Sequence, residues 1–206
     1  MIKVKICGIT NLDDALDACG CEADALGFIF TKKSPRYISK QAAKKIIQQL
    51  GPFVVKTGVF LDEEKNKVLN IASSLRLDVL QFHGRESSAY CDFFKPKFKI
   101  IKVLFERDLP FKKKISLYNP DAFLFDVKYE EKSKGNKTLS LETLKELKGL
   151  IKAGKKVIIS GGLNIQNIEG IKKLQPYAVD VCSGVEEYAG KKSRKLVDCF
   201  IRKVKC

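Results

Sequence analysis

Asp24-Ala25-Leu26-Gly27-Phe28-Ile29-Phe30 is apolar at almost every position. Side chains alternate along a strand with a period of two, so a strand apolar on both faces is covered on both sides. Such strands belong to parallel sheets buried under helices. Just upstream, Lys3-Val4-Lys5-Ile6-Cys7 reads as an earlier strand that breaks at Gly8. Ile2, Val4 and Ile6 share one of its faces; Lys3, Lys5 and Cys7 share the other. Residues 11–20 between the two strands read as a helix. Asn11 can cap it, Asp13 and Asp14 suit its first turn, Ala15, Leu16 and Cys19 form its apolar stripe, and Gly20 ends it.

Downstream the alternation continues. A loop at 31–38 carries Ser34-Pro35-Arg36-Tyr37, and Ser39 caps a helix over 40–50 that stops at Gly51-Pro52. Strands are expected at 53–60, 78–82, 98–105, 122–127, 156–160 and 178–182. Helices are expected at 62–74, 87–94, 109–117, 141–151, 164–174 (capped by Asn164) and 193–204. About eight strand-then-helix units with short connections are the pattern of an α/β fold, a (β/α)8 TIM barrel. An open doubly wound sheet is the competitor, but it uses fewer units. No composition break divides the chain, so residues 1–206 read as a single domain.

Composition narrows the function classes. Hydrophobic residues at 45% with 31% charged fit a folded domain and exclude a disordered chain. No apolar run approaches the roughly 18 residues of a membrane span. Lys3 and Lys5 fall where an export signal needs its apolar segment. Seven cysteines, without metal-ligand spacing and without a C-x-x-C pair at Cys19-Gly20-Cys21, suggest free thiols in a reducing cytoplasm and no metal site. The net charge of +15 favours anionic partners. Its lysines are spread along the chain, and Lys112-Lys113-Lys114 and Lys191-Lys192 are not interleaved with aromatics. They read as solvated decoration, with no nucleic acid and no membrane as partner.

Polar residues gather at one kind of place. Cys7, His83, Asp126, Ser160 and Cys182 lie at, or one step past, the C-terminal ends of expected strands. In a TIM barrel those ends share one mouth. Parity puts Lys5 on the face of Cys7, Gln81 on that of His83, Leu124 on that of Asp126 and Asp180 on that of Cys182. If those faces point inward, Lys5 is buried and needs a partner, and Asp180 is the candidate. Asp126 ends an apolar strand; desolvation there raises a carboxyl pKa and suits a general acid. The other reading of Asp126 is a structural acid paired with Lys128 or Lys5. A Cys7 thiolate aided by positive charge is the complementary base. The turns Gly161-Gly162 and Ser183-Gly184 follow the last two strands, where TIM barrels commonly hold a phosphate. Arg36 suits a carboxylate or a second phosphate. Arg36, Gln81, His83, Gly161, Gly162, Asp180, Ser183 and Gly184 therefore form the candidate substrate-binding set beside Cys7 and Asp126.

Several motifs occur in a telling order: Lys5-Ile6-Cys7-Gly8-Ile9-Thr10, Ala25-Leu26-Gly27-Phe28-Ile29-Phe30, Ser34-Pro35-Arg36-Tyr37-Ile38, Gly58-Val59-Phe60, Leu80-Gln81-Phe82-His83-Gly84, Gly161-Gly162-Leu163-Asn164 and Val179-Asp180-Val181-Cys182-Ser183-Gly184-Val185-Glu186. Over essentially its whole length the chain resembles the phosphoribosylanthranilate isomerases of tryptophan biosynthesis. The resemblance implies a TIM barrel without metal or cofactor. Its substrate is a small molecule bearing a phosphate and a carboxylate, N-(5-phosphoribosyl)anthranilate, converted by an Amadori rearrangement. It implies Cys7 as the base that removes the C2′ proton and Asp126 as the acid that protonates the furanose oxygen. It further implies Arg36 at the anthranilate carboxylate, His83 beside the aromatic end, and the two glycine turns as the phosphate cradle. Two departures stand out. Residues 127–139 keep one glycine where the family has a glycine-rich loop, and Cys182 stands where Asn or Ser is usual. The competing reading is a catalytically inactive basic barrel that binds nucleic acid or protein. The expected assembly is a monomer or a homodimer.

Overall fold

A computed structural model describes residues 1–126 and 140–206 of the chain. Eight parallel strands close into a barrel in sequence order. They are β1 (Lys3–Cys7), β2 (Ala25–Ile29), β3 (Val55–Phe60), β4 (Val79–Phe82), β5 (Lys99–Phe105), β6 (Ala122–Asp126), β7 (Val157–Ser160) and β8 (Ala178–Val181). The helices between and after them are α1 (Leu12–Gly20), α2 (Lys40–Ile47), α3 (Lys65–Ser74), α4 (Ser88–Phe94), α5 (Phe111–Ile115), α6 (Leu141–Lys152), α7 (Ile168–Lys172) and α8 (Arg194–Lys205). The architecture is the TIM barrel that the eight-unit count predicts. No helix among the described residues is long and apolar enough to cross a membrane.

Period-two patterning sorts the core. Val4, Ile6, Leu26, Phe28, Leu80, Phe82, Phe123 and Phe125 point outward and pack with the helices. Their neighbours point inward. On one side of the lumen Ile101, Val103, Ala122, Leu124, Ile158 and Ala178 form an apolar cluster. Elsewhere the lumen is polar, with Lys5, Thr57, Gln81 and Asp180 all buried. Branched apolar residues ordinarily fill such a barrel in layers. Here part of that filling gives way to charged and polar side chains.

Side-chain caps fix several helix starts. Asn11 accepts from the Asp14 amide at 2.9 Å, Ser39 from Ala42 at 3.2 Å and Ser140 from Thr143 at 3.1 Å. Other boundaries differ from expectation. The helix expected from residue 62 begins at Lys65, because Asp62 takes a left-handed φ of 50° and turns its carboxylate to the Arg85 amide. The helix expected over 164–174 is confined to α7. The Asn164 side chain accepts from Gln166 and Asn167 in a local turn that delays the helix, so Asn164 is not its cap. α1 does end at Gly20 as expected, with the left-handed turn two residues on, at Glu22 with φ 66°. One element escaped the sequence altogether: a hairpin of β9 (Glu186–Tyr188) and β10 (Lys191–Lys192) after β8. Buried Asp14 on α1 ties it down, accepting from the Lys192 amide at 2.6 Å and from Lys191 Nζ.

Candidate active site

Parallel strands in a closed barrel end together, so the residues at their C-terminal ends ring one mouth. Cys7 ends β1, Asp126 ends β6 and Ser160 ends β7; His83 follows β4 and Cys182 follows β8. All five stand where the sequence put them.

The Cys7 side of the mouth rests on an ion pair. Lys5 Nζ lies 2.8 Å from Asp180 Oδ1, with both side chains almost wholly buried. The partner expected from parity is thus the one present. Burial opposes the charge on Lys5, but Asp180 and then Cys7 hold its pKa above the ordinary lysine value. Ser160 Oγ donates to the other carboxylate oxygen of Asp180 at 3.3 Å. Asp180 therefore has both carboxylate oxygens engaged by protein side chains, Lys5 on one and Ser160 on the other. Gly27, opposite Cys7 in the β1–β2 register, makes room for this cluster. A methyl group there would meet Cys7 Sγ at 2.7 Å and Lys5 Cε at 3.1 Å. Burial pushes the Cys7 thiol up to about 12 against the opposing pull of Lys5.

Across the lumen, His83 Nε2 lies 3.1 Å from Asp126 Oδ2. Gln81 Nε2 lies 3.4 Å from His83 Nδ1. The Gln81 side-chain amide thus meets the imidazole on one side and the Asp126 carboxylate meets it on the other. The Phe105 ring stands edge-on to the imidazole. Gln81 is buried and Gln81 Oε1 has no hydrogen-bond partner among the described residues. It lies beneath His83, one layer down the same strand face. The Asp126 side chain is 26% exposed, less desolvated than its apolar strand implied, and its partner is His83 instead of Lys5. Lys128, the other partner considered, and the atypical loop 127–139 lie outside the described residues.

Arg36 is already engaged. Its Nε donates to Glu186 Oε1 at 2.8 Å and its Nη2 to Oε2 at 2.6 Å, a forked pair. Lys192 Nζ donates to the same carboxylate at 2.8 Å. Despite burial, Arg36 and Lys192 hold the Glu186 carboxyl below its usual range. Among the described residues Nη1 of Arg36 makes no hydrogen bond, and it is the edge of the guanidinium left for an incoming anion. Glu186 and Lys192 were missed as site supports. Glu186 stood in a quoted motif, but nothing in strand or helix periodicity couples a hairpin to a loop 150 residues away. Gly27 did carry a signal, a glycine inside an apolar strand.

The two glycine turns meet. Gly161 and Gly162 have φ of 94° and 53°, a backbone that glycine adopts without the strain a side chain would add. Ser183–Val185 is a single 3-10 turn. A methyl group on Gly184 would sit 1.8 Å from the Leu163 carbonyl oxygen, so the turns are in backbone contact and only glycine fits.

A (β/α)8 barrel with a thiol, a carboxyl and paired glycine turns at one mouth defines a TIM-barrel enzyme. Comparison with known proteins makes this specific. The family model described as N-(5'phosphoribosyl)anthranilate (PRA) isomerase matches residues 4–203, and the chain belongs to that family. It is 39% identical to the N-(5'-phosphoribosyl)anthranilate isomerase of Thermotoga maritima, over 100% of this chain and 99% of that one. A crystal structure of a phosphoribosyl anthranilate isomerase in complex with reduced 1-(o-carboxyphenylamino)-1-deoxyribulose 5-phosphate superposes with a TM-score of 0.83 at 35% identity, covering 100% and 99% of the two chains. A structure of monomers generated from the dimeric isomerase of Thermotoga maritima gives a TM-score of 0.85 at 35% identity with the same coverage.

Proposed function

We propose that the chain converts N-(5-phosphoribosyl)anthranilate into 1-(2-carboxyphenylamino)-1-deoxy-D-ribulose 5-phosphate in tryptophan biosynthesis. The observation that carries this reading is the placement of Cys7 and Asp126 at the ends of β1 and β6, three strands apart around one mouth. An Amadori rearrangement needs an acid and a base on different atoms of one sugar. Asp126 delivers a proton to the furanose oxygen as the C1′–O bond breaks and the nitrogen lone pair forms the Schiff base. Cys7, as thiolate, takes the C2′ proton, and the enolamine tautomerises to the ketone. His83 holds the Asp126 carboxyl toward the mouth and borders the aromatic end. Arg36 offers Nη1 to the anthranilate carboxylate, with Glu186 fixing the guanidinium plane. Backbone N–H groups of Gly161, Gly162, Ser183 and Gly184 take the phosphate.

The decay of anthranilate fluorescence from freshly made substrate tests the reading. Cys7→Ser and Asp126→Asn should each lower kcat by about 10² to 10⁴-fold, the usual range for a positioned acid or base. A variant that keeps the parent kcat removes that residue from the chemistry.

The assembly we infer is a homodimer through the N-terminal face of the barrel. Phe53 is 98% exposed on that face. It borders a cavity of about 470 Å³ that reaches Val79, Ile101 and Ile158. A protruding ring beside an apolar hollow is self-complementary about a two-fold axis. All seven cysteines are free, which fits the reducing cytoplasm as the working compartment.

A further inference from the structure

Lys5 and Asp180 take no part in the reaction just described, yet they occupy the floor under its base. A buried ion pair is costly to desolvate, and an apolar pair of the same volume is often as stable or more so. The rest of the lumen shows that this barrel accepts such residues, since Ile101, Leu124 and Ile158 fill the other side. The charged pair therefore calls for a reason beyond packing, and its position supplies one. Lys5 and Cys7 leave β1 on the same face, two residues apart. Lys5 Cε and Cys7 Sγ both crowd the space left open at Gly27. Asp180 sits opposite Lys5 in the β1–β8 register, one layer below the thiol. The ammonium is thus the charge adjoining the sulfur, and the carboxylate stands behind it.

We propose that the Lys5–Asp180 pair sets the proton affinity of Cys7, Lys5 stabilising the thiolate and Asp180 keeping Lys5 protonated and directed at it. The inference rests on Cys7 being the base, and it makes Lys5 and Asp180 positioning residues acting through that thiol. The other groups facing Cys7 are Cys182 after β8 and Arg36 after β2, the latter's charge being countered by Glu186. Lys5 is accordingly the cation on the thiol's own strand face, one layer beneath it, and it is fixed by a counter-ion in its own layer. Its pull opposes the burial that otherwise keeps the sulfur protonated.

The test reads Cys7 directly. The rate of its alkylation by iodoacetamide is followed against pH by peptide mapping, which separates Cys7 from the other six cysteines. Lys5→Met should shift the profile to higher pH, lowering the alkylation rate near neutrality about tenfold for each pKa unit. The ascending limb of the kcat profile should move with it while KM changes little. Because Lys5→Met leaves Asp180 unpaired in the lumen, the double variant Lys5→Met/Asp180→Asn is measured beside it. That variant buries no charge, and its profile should fall between those of the parent and of Lys5→Met. A folded double variant whose Cys7 profile superimposes on the parent overturns the proposal. If instead alkylation shifts as expected and the kcat limb stays put, the pair tunes the thiol but Cys7 is not the base, so the two readings fail separately.

Discussion

Gly27→Ala places the smallest possible perturbation against the smallest possible target. The added carbon would lie 2.7 Å from Cys7 Sγ, 3.1 Å from the Cys7 Cα and 3.1 Å from Lys5 Cε. Ordinary contact begins at 3.4 Å, and the backbone of β1 is held by β2 and β8 on either side. The sulfur has one rotatable bond and is the atom that must give way. A reacting group displaced by about 1 Å costs on the order of 10²-fold in rate. The overpacking itself should cost roughly 1–3 kcal/mol of stability. The expected result is a kcat reduced about 30- to 100-fold in the fluorescence assay, by the displacement argument. KM should change little, because the phosphate turns and Arg36 lie on other loops. Urea unfolding monitors the second effect separately. A Gly27→Ala enzyme with lowered stability but unchanged kcat would refute the reasoning, since the thiol would then not need its present place.

Three further substitutions test named residues. Lys102 on β5 and Glu86 are paired at 2.8 Å, with side-chain exposures of 3% and 1%. Glu86 also accepts from the Asp62 amide, and Lys102 donates to the Gly84 carbonyl, so the pair clamps the loop after His83. Lys102→Met should cost about 3–5 kcal/mol in urea unfolding by leaving Glu86 buried and unpaired. Glu186→Gln should raise KM about tenfold with a smaller change in kcat, because the loss of a charge-assisted fork frees Arg36, a contact worth roughly 1.5–3 kcal/mol. The same substitution should flatten the acid limb of stability. Glu186 has a folded pKa below its unfolded value of about 4.3, so its contribution is complete above that pH and is lost as pH falls through the folded value. Thermal unfolding between pH 3 and pH 6, on the order of the carboxylate range, checks this. Phe53→Lys should leave a monomer in sedimentation equilibrium where the parent chain sediments as the homodimer inferred above, with kcat retained; a parent chain that sediments as a monomer refutes that assembly.

Periodicity carried the reading of fold and lumen. Strands such as Ala25–Ile29, apolar on both faces, imply burial under helices, and eight such units imply closure. The same period of two placed Lys5 beneath Cys7 and paired it with Asp180, because inward and outward faces alternate without regard to tertiary detail. Strand ends were legible too, since a chemically distinctive residue at the close of an apolar run marks them. Asp126 and Ser160 occupy their ends as expected. Loops have no such period. The fork of Arg36 on Glu186, the hairpin that brings in Lys192, the contact of Gly184 with Leu163, and the turn of His83 onto Asp126 depend on which loop the closed barrel sets beside which. A one-dimensional pattern records the direction of a side chain within its own element. Contacts between loops arise only when the eighth strand returns to the first, and that distance exists only in the folded molecule.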